Sequence, residues 1–168
     1  MSGLEALVLH WCVSLQNTAF ATTLRESGYA YPLIEGTHVI GLALSVGTVM
    51  WFDLRLAGVA LRQTPVSAVF SRLRPVMFIG FAVMFVTGGL LFSARASEAF
   101  ASVYFRTKML LLVLCGLNLA FFHATIDRRR DTWDMTDPPP LQARVAGLVS
   151  LVLWFAIIAA GRIMAYNL

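Results

Sequence analysis

The sequence predicts an all-α fold: a four-helix transmembrane bundle preceded by an N-terminal amphipathic helix lying in the interface. Three observations predict it. Of 168 residues, 58% are hydrophobic and only 13% charged, and the mean hydropathy is +0.74, far above that of a water-soluble domain. Four apolar runs are long enough to cross a bilayer. The arginines gather at the ends of those runs and form no continuous basic face, which fits membrane topology and argues against a nucleic-acid partner. An ordinary soluble enzyme is excluded on the same grounds. The expected division is an amphipathic segment over 1–28 and a four-transmembrane-helix domain over 29–168.

The first element is predicted from Leu4, Leu7, Val8, Trp11 and Leu15, which recur at helical spacing with Glu5, Ser14 and Gln16 off that stripe; this is the pattern of a helix lying in the membrane interface. Glu5 and the absence of a basic stretch before the apolar run argue against a cleaved secretory signal. The spans follow at 31–52, 75–92, 109–126 and 145–161, each bounded by charge, proline or aromatic residues. Lipid offers no partner to loose backbone groups, so each must be helical. The segment DRRRDTWDMTDPPP between the last two alternates acid with base and breaks at Pro138, Pro139 and Pro140, as a solvated connector does. Cys12 and Cys115 stand alone, without the paired spacing of a zinc, thioredoxin-type or c-type haem motif.

Orientation follows from basic residues near the span ends. Arg55, Arg62, Arg72, Arg74, Arg128, Arg129, Arg130 and Arg144 lie on one side, against Arg25, Arg95, Arg106, Lys108 and Arg162 on the other, eight against five. This predicts a multi-pass protein of a bacterial inner membrane with both termini in the periplasm.

Ionisable groups at membrane depth are costly and are the first place to look for function. The first span holds Glu35 and His38, three residues apart on one helix face; the third opens at Lys108 and holds Asn118 and His123. A Glu-x-x-His pair serves di-metal bundle sites, but those require a second pair and further carboxylates, which this chain lacks. A haem b reading suits His38 better. It requires an axial imidazole, apolar walls, room beside the backbone and cations for the propionates. Gly41 and Ser45 lie near the His38 face, Phe78, Phe81, Phe85, Thr87, Gly88 and Gly89 are available from the second span, and Arg106 and Lys108 share the His38 side of the membrane. His123 is the second imidazole in reach of sequence reasoning, but its depth differs from that of His38 by roughly 13 Å, whereas two axial ligands must face one iron. His10 is a more distant partner. An ion pair between Glu35 and Lys108, and one between Asp53 and Arg74 or Arg130, are the expected charge pairings across spans.

The stretch from Arg25 to Gly58 resembles the first-span region of a family of small uncharacterised bacterial inner-membrane proteins, with a P-x-I-E-x-x-H-x-x-G…D-L-R-L-x-G pattern. More distantly, the order of features is similar to CopD-like copper-resistance membrane domains and HemJ-type protoporphyrinogen oxidases, both four-helix membrane proteins. Their early first-helix histidine and terminal arginine match His38 and Arg55, and their third-helix lysine and later histidine match Lys108 and His123. His123 falls about one turn later than in the HemJ-type pattern, and WFDLRL replaces an aromatic-Pro-Arg stretch. The resemblance implies haem b and a site built on His38 and Lys108.

The expected function is a b-type haem protein of the inner membrane, performing electron transfer or membrane oxidoreduction at an outer-leaflet haem. Its site residues are His38, Lys108, Arg106, Glu35, Gly41 and His123, with His38, and after it His123, as iron ligands. Its expected partners are the lipid bilayer, a quinone or periplasmic redox protein, and further copies or subunits of a membrane complex. Two other readings remain open at this point: a cofactor-free structural or assembly subunit whose small-residue faces, Thr87-Gly88-Gly89 and Ala159-Ala160-Gly161, dock partner helices, and a small proton-coupled transporter using Glu35, His38 and Lys108.

Overall fold

In the computed structural model, which describes residues 3–166, the described chain is helical and contains no strand. Two short helices, α1 (Gly3–Gln16) and α2 (Ala19–Glu26), precede α3 (Ala30–Leu56) and α4 (Val66–Ala94). A short α5 (Ala96–Ala101) leads into α6 (Val103–Phe121), which runs on through a π turn (Phe122–Ile126) and a 3-10 turn (Asp127–Thr132), and α7 (Leu141–Tyr166) follows. α3, α4, α7 and α6 with its continuation are long and apolar enough to cross a membrane. Four such helices put the starts of α3 and α6 and the ends of α4 and α7 at one end of the bundle, the terminal end. The 57–65 and 127–140 connections lie at the other, the loop end.

All four long helices overrun the apolar runs that announce them. α4 does so most, starting at Val66 and carrying Pro75 inside it. Its first turns are amphipathic: Val66 and Val69 are buried, Phe70 and Leu73 pack on the loop-end core, and Arg72 and Arg74 point outward. That core joins Phe52, Leu56, Phe122, Ile126, Trp133 and Ala146. A second core, at mid-depth, holds Val46, Cys115, Trp154 and Ile157.

The bundle is two antiparallel hairpins. α3 packs most extensively on α4 and α6 on α7, and contact between α3 and α7 joins the pairs. Small residues set these distances, as expected where lipid removes the hydrophobic drive between helices. A Cβ on Gly80 would lie 2.5 Å from the Ser45 backbone nitrogen and 3.0 Å from the Gly41 oxygen. A Cβ on Gly41 would meet Val83 Cγ1 at 2.9 Å, and one on Gly147 would lie 2.8 Å from the Asp53 carbonyl oxygen. The α3–α4 and α3–α7 contacts are therefore close to backbone on backbone. Outward, large apolar side chains such as Phe78, Phe85, Leu110, Leu117 and Val152 are exposed, the surface a bilayer would cover.

α1 turns its predicted stripe outward: Leu4, Leu7, Val8, Trp11 and Leu15 are all exposed, while Cys12 is buried. Its Gln16 side-chain oxygen accepts from the Ser97 amide and hydroxyl at 2.9 and 2.7 Å, tying α1 to the first turn of α5. Arg25 donates to the Ala94 carbonyl at 3.1 Å at the end of α4.

At the loop end a polar lock joins the two connections. The Asp134 carbonyl accepts from Val66 N at 3.1 Å, and its carboxylate accepts from Ser67 N at 2.7 Å and Ser67 Oγ at 2.5 Å. These are the open amides of the first turn of α4, supplied with acceptors from a residue 67 positions away. The Arg55 side chain, 0% exposed, donates from Nε to the Thr64 carbonyl at 2.8 Å and from Nη2 to the Asp134 carbonyl at 3.5 Å. Outside the spans, burial alone would raise the Asp134 carboxyl. The Ser67 donors, with Arg130 and Arg55 nearby, hold it below the usual carboxylate range.

Candidate functional site

His38 lies in the first third of α3, toward the terminal end. Its Nδ1 is 2.9 Å from Thr87 Oγ1 on α4. Thr87 itself donates to the Val83 carbonyl at 2.6 Å. A hydroxyl carries one proton; with that proton committed to the backbone, the tautomer protonated on Nδ1 satisfies the His38–Thr87 pair and leaves Nε2 as a lone pair, and the Met84 backbone is a further hydrogen-bond partner beside the ring. The imidazole edge rests against Gly88, where a Cβ would stand 3.2 Å from His38 Cε1. Thr87 and Gly88 together fix the ring: one by a hydrogen bond, the other by the space it leaves.

Lys108 reaches the same region from α6. Its Nζ is 3.7 Å from the Cβ position of Gly161 on α7, and it is the charge that acts most on His38. Among the described residues it makes no hydrogen bond or ion pair. All four long helices thus meet at this level, α3 through His38, α4 through Thr87 and Gly88, α6 through Lys108 and α7 through Gly161. The helices bring an imidazole and an unpaired ammonium together in half-buried surroundings.

The other expected site residues are placed differently. Glu35 is on the exposed surface of α3 and forms no ion pair with Lys108. Arg106 is exposed at the start of α6 and donates to the Ala101 carbonyl at 3.1 Å. Gly41 leaves no open room, since Val83 and Met84 fill the space beside it. His10 is on the exposed side of α1.

His123 belongs to the loop end. It bonds Asp127 at 2.8 Å, Asp127 also pairs with Arg130, and the His123 ring packs on Phe70 and Phe122. Phe52 touches both of those phenylalanines and follows His38 by 14 residues, about 21 Å along the helix axis. One iron cannot take both imidazoles in this arrangement. Among the described residues no group of three or more His, Cys, Asp or Glu is placed to hold a metal ion.

Asp53 also departs from expectation. Arg130 is paired with Asp127 and Arg74 lies over the Phe78 ring at 5.7 Å, so neither reaches it. Asp53 instead faces Ser150 on α7, and Arg55 turns away to the connections.

The chain belongs to a family of unknown function, DUF6644, whose model matches residues 18–167, from just before α2 to the end of α7. No curated protein and no solved structure matches the chain.

Proposed function

We propose that this member of the family is a membrane electron-transfer protein that holds one b-type haem at the terminal end of the bundle, where His38 would ligate it. The observation that carries the reading is the His38–Thr87–Val83 chain, which spends Nδ1 and leaves Nε2 as a lone pair. Haem-ligating histidines are oriented in this way through their other ring nitrogen. The group, when bound, supplies one-electron redox chemistry at a potential set by its ligand and surroundings.

The residues of the chain do the rest. Thr87 holds the imidazole in one tautomer and one orientation. Gly88 leaves the ring the space a side chain would fill. Lys108, unpaired, offers a cation to a carboxylate such as a propionate, and the surrounding apolar helices exclude water. With His123 at the other end and His10 on the exposed side of α1, His38 is the imidazole that the four long helices offer to the group. The basic-residue asymmetry supports a placement in a bacterial inner membrane with the terminal end periplasmic, where a quinol or a periplasmic redox protein would exchange electrons with the site.

Oxidised and dithionite-reduced absorption spectra of the detergent-purified protein from haem-replete cells test the reading. A Soret band with reduced b-type peaks is expected, lost in His38→Ala and kept in His123→Ala. A folded, colourless wild type overturns it.

A cofactor-free subunit of a larger complex is the second reading, and one observation favours it. Gly36, Gly89 and Gly116 lie exposed within long helices with nothing near their Cβ positions, as faces that admit another helix do. Co-purifying subunits with no visible absorption would support it.

A further inference from the structure

A carboxylate carried into a bundle at membrane depth needs a cation, a full set of hydrogen-bond donors, or a proton. Asp53, one turn before the end of α3, is 4% exposed. Its Oδ2 is buried without a hydrogen-bond partner, and among the described residues it enters no ion pair.

The neighbouring cations have other partners or none. Arg55 has Asp134 and Asp137 as its countercharges, Arg62 pairs with Asp137, and Arg130 pairs with Asp127. Arg144, on α7 one turn before Gly147, keeps a buried Nε without a partner and forms no ion pair with Asp53. What faces Asp53 is the Ser150 hydroxyl from α7, while the Cys115 thiol of α6 is near enough to feel its charge but belongs to the mid-depth core. The near backbone-on-backbone contact at Gly147 closes the α7 side.

We propose that Asp53 is a proton-binding site buried in the bundle: the resting protein holds it as the neutral carboxylic acid, hydrogen-bonded with Ser150. Loss of that proton leaves a bare charge where α3 and α7 meet nearly backbone on backbone. Neither water nor a cation reaches it until the helices part at Gly147, so release of the proton and opening of the α3–α7 joint are one event. The inference stands on the packing around Asp53 and is independent of any haem at His38.

Infrared difference spectroscopy of the full chain in lipid nanodiscs tests it, comparing wild type with Asp53→Asn at neutral pH. The expected result is a carboxylic-acid carbonyl band present in wild type, absent in the variant, sensitive to deuterium exchange, and displaced in Ser150→Ala. Carboxylate bands in place of the acid band overturn the proposal. If Asp53→Asn does not fold, Asp53→Glu decides, because a proton held at this position moves the acid band and an unchanged acid region overturns the site. On alkaline titration the acid band is expected to vanish together with the protection of Cys115 from thiol reagents, and loss of the band with Cys115 still protected overturns the coupling to helix separation.

Discussion

Thr87 illustrates what single residues do here. A threonine in a helix ordinarily returns its hydroxyl proton to its own backbone, and Thr87 does so. The consequence lies across the helix pair, where the remaining lone pair fixes His38. Thr87→Val keeps the shape and removes the acceptor. If His38 ligates haem, haem titrations into the purified apoprotein should show affinity lowered about 10–100-fold, with the folded state retained. Lys108→Met should leave the axial ligand in place and weaken retention of the group, read as faster haem transfer to an acceptor protein. His38 and Lys108 were legible in the sequence because an ionisable residue inside an apolar run is conspicuous on composition alone. The role of Thr87 was not, since it depends on how α3 and α4 are rotated about their axes. The pairings expected for Glu35 and Asp53 failed for the same reason: charge is visible in a sequence, and the face it occupies is not.

Helices were legible where lipid demands them and less so where water begins. The apolar run marks the middle of α4, but its first turns carry Arg72, Arg74 and Pro75 and read as loop, because a one-sided helix at the interface mixes charge with core residues. The acceptors that complete this start come from Asp134 in a different connection, which no local pattern announces. Asp134→Ala should destabilise the bundle by about 0.5–2 kcal/mol, the range of a lost helix cap, measured by thermal unfolding in detergent. Asp134 is held below its unfolded value, so its contribution is fully present above the unfolded carboxyl's titration range. It is lost as pH falls through the lower, folded value. The melting-temperature gap between wild type and Asp134→Asn should therefore close on acidification, and a gap independent of pH would count against this role. At the α3–α4 contact, Gly80→Ala puts a Cβ against the Ser45 backbone, which cannot swing aside as a side chain can. A loss of about 1–3 kcal/mol is expected from such overpacking, by the same unfolding measurement.

As a whole molecule the protein is two apolar hairpins joined through α3 and α7, with a polar lock at one end and the His38–Lys108 site toward the other. Both native cysteines are buried, so cysteines introduced at Glu98 and Arg129 can be labelled against a quiet background. They should react with an impermeant thiol reagent from opposite faces of the membrane, and under the proposed orientation Glu98→Cys reacts from the periplasm in intact spheroplasts. Reaction of both from one face would overturn the placement of the two ends across the membrane, and reaction of Arg129→Cys in place of Glu98→Cys from the periplasm would overturn the orientation. The lock also bears on the order in which the protein is made. Its acceptors are encoded in the connection to the last span, and its donors in the first turn of the second. While the ribosome is still making the third span, the amides of Val66 and Ser67 have no Asp134 to meet. The first hairpin must therefore wait in the membrane with that helix start solvated, and the clasp closes only after the connection leading into the final span has emerged on the same side.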